Sequence, residues 1–480
     1  MTTGAKMRQF SMYIGGQAIQ AGRTFEVIDP ALGEAFALAQ AAEPKHVEAA
    51  VAAARAAFPG WSARPDAERK SLMHALGAAL EANMPELMDL VTRETGKPLQ
   101  GLNNVGAGME VGAAIAWTHV TADFDLEPEV IQDNEQARVE IHRKPLGVVA
   151  SVTPWNWPLM IAIWHVIPAL RAGNTVVLKP SEYTPVATAR FVELANALLP
   201  PGVLNLVTGA GDVGAALSSH ADVNKVVFTG STRTGKKIME SAAASLKRVT
   251  LELGGNDAGI VLPDVDVKAV APKLFAVGFH NNGQTCACLK RLYVHDSIHD
   301  ALCEELARLA REVVVGNGLD PDSQLGPLQN RAQFDIVAKL AEDAREAGGR
   351  VLAGGKAREG KGYFFEPTIV AGLTNGARLV DEEQFGPILP VIRYTDVEEA
   401  IRLANDNPNG LGGSVWSSDP ARATVIGKRL ECGSVWINEH GAVQPDAPFG
   451  GVKQSGIGVE FGKQGLEEFT TIQTVKIMKH

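Results

Sequence analysis

From residue 146 onward the chain alternates short β-branched runs with longer helical stretches, and this alternation restricts the fold more than any other feature. Runs at 147–152, 175–178, 203–207 and 226–228 have the character of strands, and 161–170, 186–199 and 235–244 that of helices. Continuous apolar strands separated by helices predict a parallel sheet covered on both faces. A second series begins near 258, with strands expected at 258–262, 291–295, 351–353, 389–393 and 433–437. The simplest account is an α/β protein with two such halves. A length of 480 residues leaves room for two to four domains at about 150 residues each. Ahead of both series, Val47, Ala50, Val51, Ala54 and Phe58 fall at helical spacing, which predicts an amphipathic helix over 41–57.

Two segments fit neither half. Residues 121–145 carry charge and alternate polar with apolar side chains around Ala137 to Arg143, and the tail 470–478 is rich in β-branched residues without Gly or Pro. Either would form an exposed edge strand, a hazard unless another chain pairs with it, so an oligomer is expected.

The formal charge of −10, with no run of five like charges, argues against a nucleic-acid or anionic-membrane surface. The opening MTTGAKMRQFSMYIGG lacks the apolar core of a secretory signal, and no stretch of about 18 apolar residues offers a membrane span. Four cysteines are too few for a disulfide scaffold of this size. The expectation is a cytoplasmic protein.

Gly283-Gln284-Thr285-Cys286-Ala287-Cys288 carries a CxC pair, but two thiolates do not close a tetrahedral zinc site and no metal is expected. A buried structural cysteine is the ordinary alternative. A cysteine at a loop-to-helix junction would instead be a nucleophile, its pKa lowered by the helix N-terminus, and Cys286 is expected at such a junction. In Leu251-Glu252-Leu253-Gly254-Gly255 the carboxylate is either an exposed strand residue or a desolvated base of raised pKa. The glycines behind it imply close backbone approach. Gly209-Ala210-Gly211-Asp212-Val213-Gly214 matches a dinucleotide fingerprint in letters and position, but no acidic residue follows about 20 positions later. Gly230 and Ser231 open a second strand-to-helix turn able to hold a phosphate, and composition does not choose between the two.

Pro154-Trp155-Asn156-Trp157-Pro158, Lys179-Pro180-Ser181-Glu182, Phe228-Thr229-Gly230-Ser231, Leu251-Glu252-Leu253-Gly254-Gly255, Gly283-Gln284-Thr285-Cys286, Glu383-Gln384-Phe385-Gly386-Pro387 and Pro448-Phe449-Gly450-Gly451 occur in this order. Together they resemble the aldehyde dehydrogenase superfamily over nearly the whole chain. The resemblance implies oxidation of an aldehyde to its acid with NAD(P)+ through a thiohemiacetal and a thioester on Cys286. Asn156 and the Cys286 amide would hold the oxyanion, and Glu252 would activate the hydrolytic water. Coenzyme A-acylating relatives generally lack that glutamate, and a recruited, inactive structural relative would be expected to have lost Cys286, Glu252 or Asn156.

For the cofactor, the resemblance assigns Lys179 and Glu182 to the adenosine ribose and Gly209 to the adenine side. It assigns Gly230 and Ser231 to the pyrophosphate side and Glu383 with Phe385 to the nicotinamide ribose, and counts Trp155, Ser181 and Leu253 among the cofactor-binding residues. Glu182 favours NAD, with NADP possible because Arg233 adds charge nearby. Trp157, Met160, Trp164, His280, Thr285, Ala287, Val443 and Phe449 match the substrate tunnel. Trp164 and His280 stand where succinate-semialdehyde members carry arginines, and Val443 where betaine-aldehyde members carry an aromatic. An uncharged aromatic or hydrophobic aldehyde is therefore expected ahead of those two. The implied architecture is a dinucleotide-binding domain at 1–120 and 143–253, a catalytic domain at 254–454, and a β extension at 121–142 and 455–480. The extension would join a homodimer or homotetramer.

Overall fold

Five strands whose side chains are almost all buried, Val148–Val152, Thr175–Lys179, Leu204–Leu206, Lys225–Thr229 and Arg248–Glu252, pair in parallel at the centre of an eight-stranded sheet. The computed structural model describes residues 7–479. Runs such as VVASV and TVVLK leave no polar face, so helices must cover both sides. Val148–Val152 lies between Thr175–Lys179 and Lys225–Thr229. The chain thus builds outward on one side, then returns to build on the other. That reversal opens a crevice at the carboxyl ends of the strands, where α/β sheets bind ligands.

A seven-stranded sheet forms the second half, in the order Arg350–Ala353, Thr368–Ala371, Ile388–Tyr394, Arg291–His295, Ala258–Val261, Gly412–Trp416 and Ser434–Ile437. All but Arg350–Ala353 run parallel. Every residue of the helix Pro158–Arg171 is buried, and this helix packs against Ala107–Asp123 beneath the first sheet. The N-terminal helix extends over Pro44–Ser62 and buries Val47, Ala50, Val51 and Ala54, while Phe58 stays half-exposed.

A separate three-stranded sheet pairs Thr470–Met478 with Ala137–Pro145 over nine residues, and Ala137–Pro145 with Glu129–Asp133. Its limits differ from the expected extension. The helix Ala107–Asp123 runs past position 121, and the middle strand continues to Pro145. In the tail, Gly456–Ile457 pairs with Arg248–Glu252 at the edge of the first sheet, and Gly462–Glu467 packs on Pro158–Arg171. Gly456 can approach because it lacks a side chain: a Cβ there would meet the Leu251 carbonyl at 2.5 Å. Among the described residues of 455–480, only Thr470–Met478 joins the three-stranded sheet.

Candidate active site

The carboxyl ends of the five parallel strands carry one group of residues after another. Val148–Val152 leads to Trp155 and Asn156, Thr175–Lys179 to Ser181 and Glu182, and Leu204–Leu206 to Gly209. Lys225–Thr229 leads to Gly230 and Ser231, and Arg248–Glu252 ends on the base candidate itself. Trp155, Asn156, Gly230, Ser231, Leu253, Glu383 and Phe385 line one cavity of about 230 Å³. Ser231 caps the helix Thr232–Ala243, accepting from the Thr234 amide at 3.3 Å. The free amides of that helix start face the crevice end of the sheet, a natural seat for phosphate.

Lys179, Ser181, Glu182 and Gly209 lie outside this cavity, further along the same sheet edge. The Lys179 ammonium stands 3.6 Å from Glu182, and its aliphatic stem lies over Gly214, where a Cβ would be 3.5 Å from it. Of the fingerprint glycines, Gly214 therefore sits beside the Lys179 side chain.

A second cavity, of about 650 Å³, is lined by Trp157, Met160, Trp164, His280, Thr285, Ala287, Val443 and Phe449, together with Trp117 and His440. All the residues expected in a substrate tunnel thus meet in one space. Cys286 lines both cavities. A thiol at such a junction can face a ligand on either side.

The local structure at Cys286 corrects the expectation of a helix N-terminus. The helix Val267–Phe279 and the single turn His280–Gly283 end before it, and the strand Arg291–His295 follows. Asn281 and Asn282 adopt left-handed conformations, φ 49° and 57°, which stop the helix. Gly283 is required here, since a Cβ would meet the Gly386 carbonyl at 2.4 Å. With no helix dipole aimed at it, the thiol is pushed up to about 12 by burial, against the pull of the Lys290 ammonium. Cys288 is separate: its thiol donates to the Val277 carbonyl at 3.0 Å.

Lys290, unmarked by any motif, organises the floor. Its ammonium donates to the carbonyls of Cys286 at 2.7 Å and Gly255 at 3.1 Å, and to Glu383 at 2.5 Å. Burial opposes its charge, but Glu383 and Asp257 outweigh burial and raise its pKa. The two glycines after Glu252 now have named neighbours. A Cβ on Gly254 would meet the Glu383 carboxylate at 2.4 Å, and one on Gly255 the Cys286 carbonyl at 2.7 Å. Phe385 holds a left-handed φ of 45° and packs edge-on to Trp155 at 5.3 Å. Strain of this kind clusters at ligand sites.

Glu252 is buried, and neither of its carboxylate oxygens has a hydrogen-bond partner among the described residues. Burial first, and then the nearby Glu460 carboxylate, raise its pKa well above the ordinary range. Glu460 in turn stands 3.0 Å from the fully buried His165.

Asn156 donates one amide hydrogen to the Gln284 carbonyl at 3.0 Å, which leaves its second N–H free. Its own carbonyl accepts from Lys97 at 2.8 Å and from Asn281 at 3.2 Å. Lys97 is buried, pairs with the equally buried Glu110, and lies 3.4 Å over the Trp157 ring. Glu110 accepts from the amides of Leu159 at 3.0 Å and Met160 at 3.3 Å. Sequence reasoning missed Lys97, Glu110, Lys290 and Glu460.

The chain matches the model of the aldehyde dehydrogenase family over residues 18–475. It is 39% identical to a phenylacetaldehyde dehydrogenase of Pseudomonas fluorescens, over 97% of this chain and 95% of that protein. It is 38% identical to a chloroplastic betaine aldehyde dehydrogenase of Beta vulgaris, over 94% and 92%. An aldehyde dehydrogenase of Bacillus cereus solved as its NAD+ complex is 35% identical, with a TM-score of 0.95 over 98% of this chain and 97% of that one. Motifs, fold and site agree, and the chain belongs to the aldehyde dehydrogenase family.

Proposed function

We propose that this protein oxidises an uncharged aromatic or hydrophobic aldehyde to its carboxylic acid with NAD+, Cys286 being the nucleophile. The observation that carries the reading is the place of Cys286, on the shared wall of an apolar tunnel and of a cavity at the sheet's carboxyl edge. The sheet-edge cavity suits the nicotinamide and pyrophosphate end of a dinucleotide. It has a helix start for phosphate, a strained Phe385 beside Trp155, and a glycine at 254 where a side chain would strike Glu383. Glu182 is the group for the ribose hydroxyls, and its charge disfavours a 2′-phosphate. Bound there, the nicotinamide supplies the acceptor for a hydride.

The residues divide the remaining work. For the sulfur to attack, the thiol proton must leave, and Glu252 is an unpaired base within electrostatic reach of it. The sulfur then bonds the carbonyl carbon, and the oxyanion that develops is held by the Cys286 amide and the free N–H of Asn156. One such donor is worth about 10²–10³ in rate. Oxidation leaves an acyl group on the sulfur. Once Glu252 has passed the thiol proton to solvent, it takes one from water, whose oxygen attacks the thioester; the acid leaves and the Cys286 thiolate is released.

Substrate class follows from the tunnel walls. No lysine or arginine lines the tunnel among the described residues, and Glu439 does, so a distal carboxylate lacks a counter-ion. A quaternary ammonium fares little better. The Trp157 face is already taken by the Lys97 ammonium, and Val443 adds no aromatic surface. The phenylacetaldehyde dehydrogenase relative supports the aromatic reading.

No helix among the described residues is long and apolar enough to cross a membrane. The free cysteines suit a reducing cytoplasm, and the three-stranded sheet suits subunit contact in a homodimer or homotetramer. The test is reduced-cofactor formation over a panel of benzaldehyde-type, medium aliphatic, betaine and succinate-semialdehyde substrates, with NAD+ and NADP+. Aromatic or aliphatic aldehydes with NAD+ should dominate. Dominance of the semialdehyde would overturn the tunnel argument, and equal use of NADP+ the Glu182 argument.

A further inference from the structure

Of the two histidines that line the tunnel, His440 is buried with its Nδ1 2.9 Å from the Ser414 hydroxyl, and His280 is the less buried. His280 follows the helix Val267–Phe279, and its Nδ1 lies 3.1 Å from the Ala276 carbonyl, folded back over the helix end. A carbonyl accepts only from a donor, so Nδ1 carries the proton and Nε2 keeps a lone pair. Nε2 has no protein partner among the described residues, and the ring lines the tunnel that Cys286 shares. Burial holds the ring neutral, lowering its pKa to about 4, although its bond to Ala276 at the helix end favours the charged form.

We infer that the substrate carries a neutral hydroxyl, which donates its proton to Nε2 of His280 while the apolar walls hold the rest of the molecule. The inference rests on the tunnel being the aldehyde site, as proposed above. A neutral acceptor selects in two directions. A carboxylate or phenolate brings no proton to donate and meets no positive charge. A purely apolar aldehyde leaves the nitrogen unpaired inside the protein, a loss of about tenfold for one neutral hydrogen bond. Thr285 adds to this polar pole: its oxygen accepts from the Trp157 indole at 3.1 Å, so its own hydrogen is free to turn toward a ligand oxygen.

The experiment compares kcat/KM for meta- and para-hydroxymethylbenzaldehyde with the matching tolualdehydes, in the parent and in His280→Phe. An apolar tunnel alone prefers the methyl compounds, because a hydroxyl must be desolvated. The inference predicts the reverse in the parent, by about tenfold at the ring position that reaches Nε2, and a loss of that preference in His280→Phe. A parent that prefers methyl at both positions, or a phenylalanine variant that keeps the hydroxyl preference, overturns it. Should His280→Phe not fold, the parent comparison still decides. Turnover of none of these compounds beside ready turnover of a charged aldehyde would instead fell the substrate reading beneath it.

Discussion

Burial favours the neutral thiol at Cys286 and the neutral carboxyl at Glu252, which lines neither cavity. Each opposes the charge the other needs, since the Glu252 anion itself raises the thiol pKa. Glu252 must be ionised to accept a proton, its pKa is raised, and so activity climbs with pH through a limb above the ordinary carboxylate range. Glu460 contributes to that rise by like-charge repulsion. Glu460→Gln should therefore move the limb to lower pH, read from kcat profiles of parent and variant, while His165 keeps its contacts with Ser151 and Thr229 at 3.0 Å. An unmoved limb would mean that another group sets it. The motif around Glu252 was legible because a carboxylate in an apolar run is conspicuous. Glu460 and Lys290 were not, since nothing in their local sequence marks a long-range partner.

At the scale of elements, the turn between Val148–Val152 and Pro158–Arg171 is pinned from outside by a buried ion pair. Lys97 holds the Asn156 carbonyl while Glu110 holds the first amides of the helix. A misplacement of about 1 Å at such a site costs about 10²-fold in rate. Lys97→Met should lower kcat by about that factor with little change in aldehyde KM, and should also destabilise the fold by about 3–5 kcal/mol by stranding Glu110. Adding Glu110→Gln should restore much of the melting temperature but not kcat. Recovery of both would reduce the pair to a purely structural role. In the seven-stranded sheet, strands of β-branched residues were legible, and two were missed for physical reasons. Gly412–Trp416 opens on glycines, which weaken a strand signal, yet they are needed: a Cβ on Gly412 would meet Trp436 at 2.5 Å, and one on Gly413 would meet Leu430 at 2.9 Å. Thr368–Ala371 is four residues long and lacks length to stand out. The turn at Cys286 was mistaken for a helix start because helix termination there depends on left-handed Asn281 and Asn282, whose conformations come from tertiary packing.

The whole molecule places one reactive sulfur between two spaces of different character, an apolar tunnel and a phosphate-ready sheet edge. Its third body, the three-stranded sheet, leaves Ile472 58% and Ile477 47% exposed on opposite faces of its outer strand. An isolated sheet of this kind is expected to be covered by another subunit. Ile472→Asp with Ile477→Asp should lower the sedimentation mass toward that of one chain, and a parent already monomeric would contradict the subunit role. The most direct test of the account is the intact mass of Glu252→Gln after mixing with NAD+ and a turned-over aromatic aldehyde. The account predicts one acyl group retained on Cys286, with an initial burst of NADH and little steady turnover. An unmodified cysteine with a parental steady rate would contradict both the covalent intermediate and the assignment of its hydrolytic base.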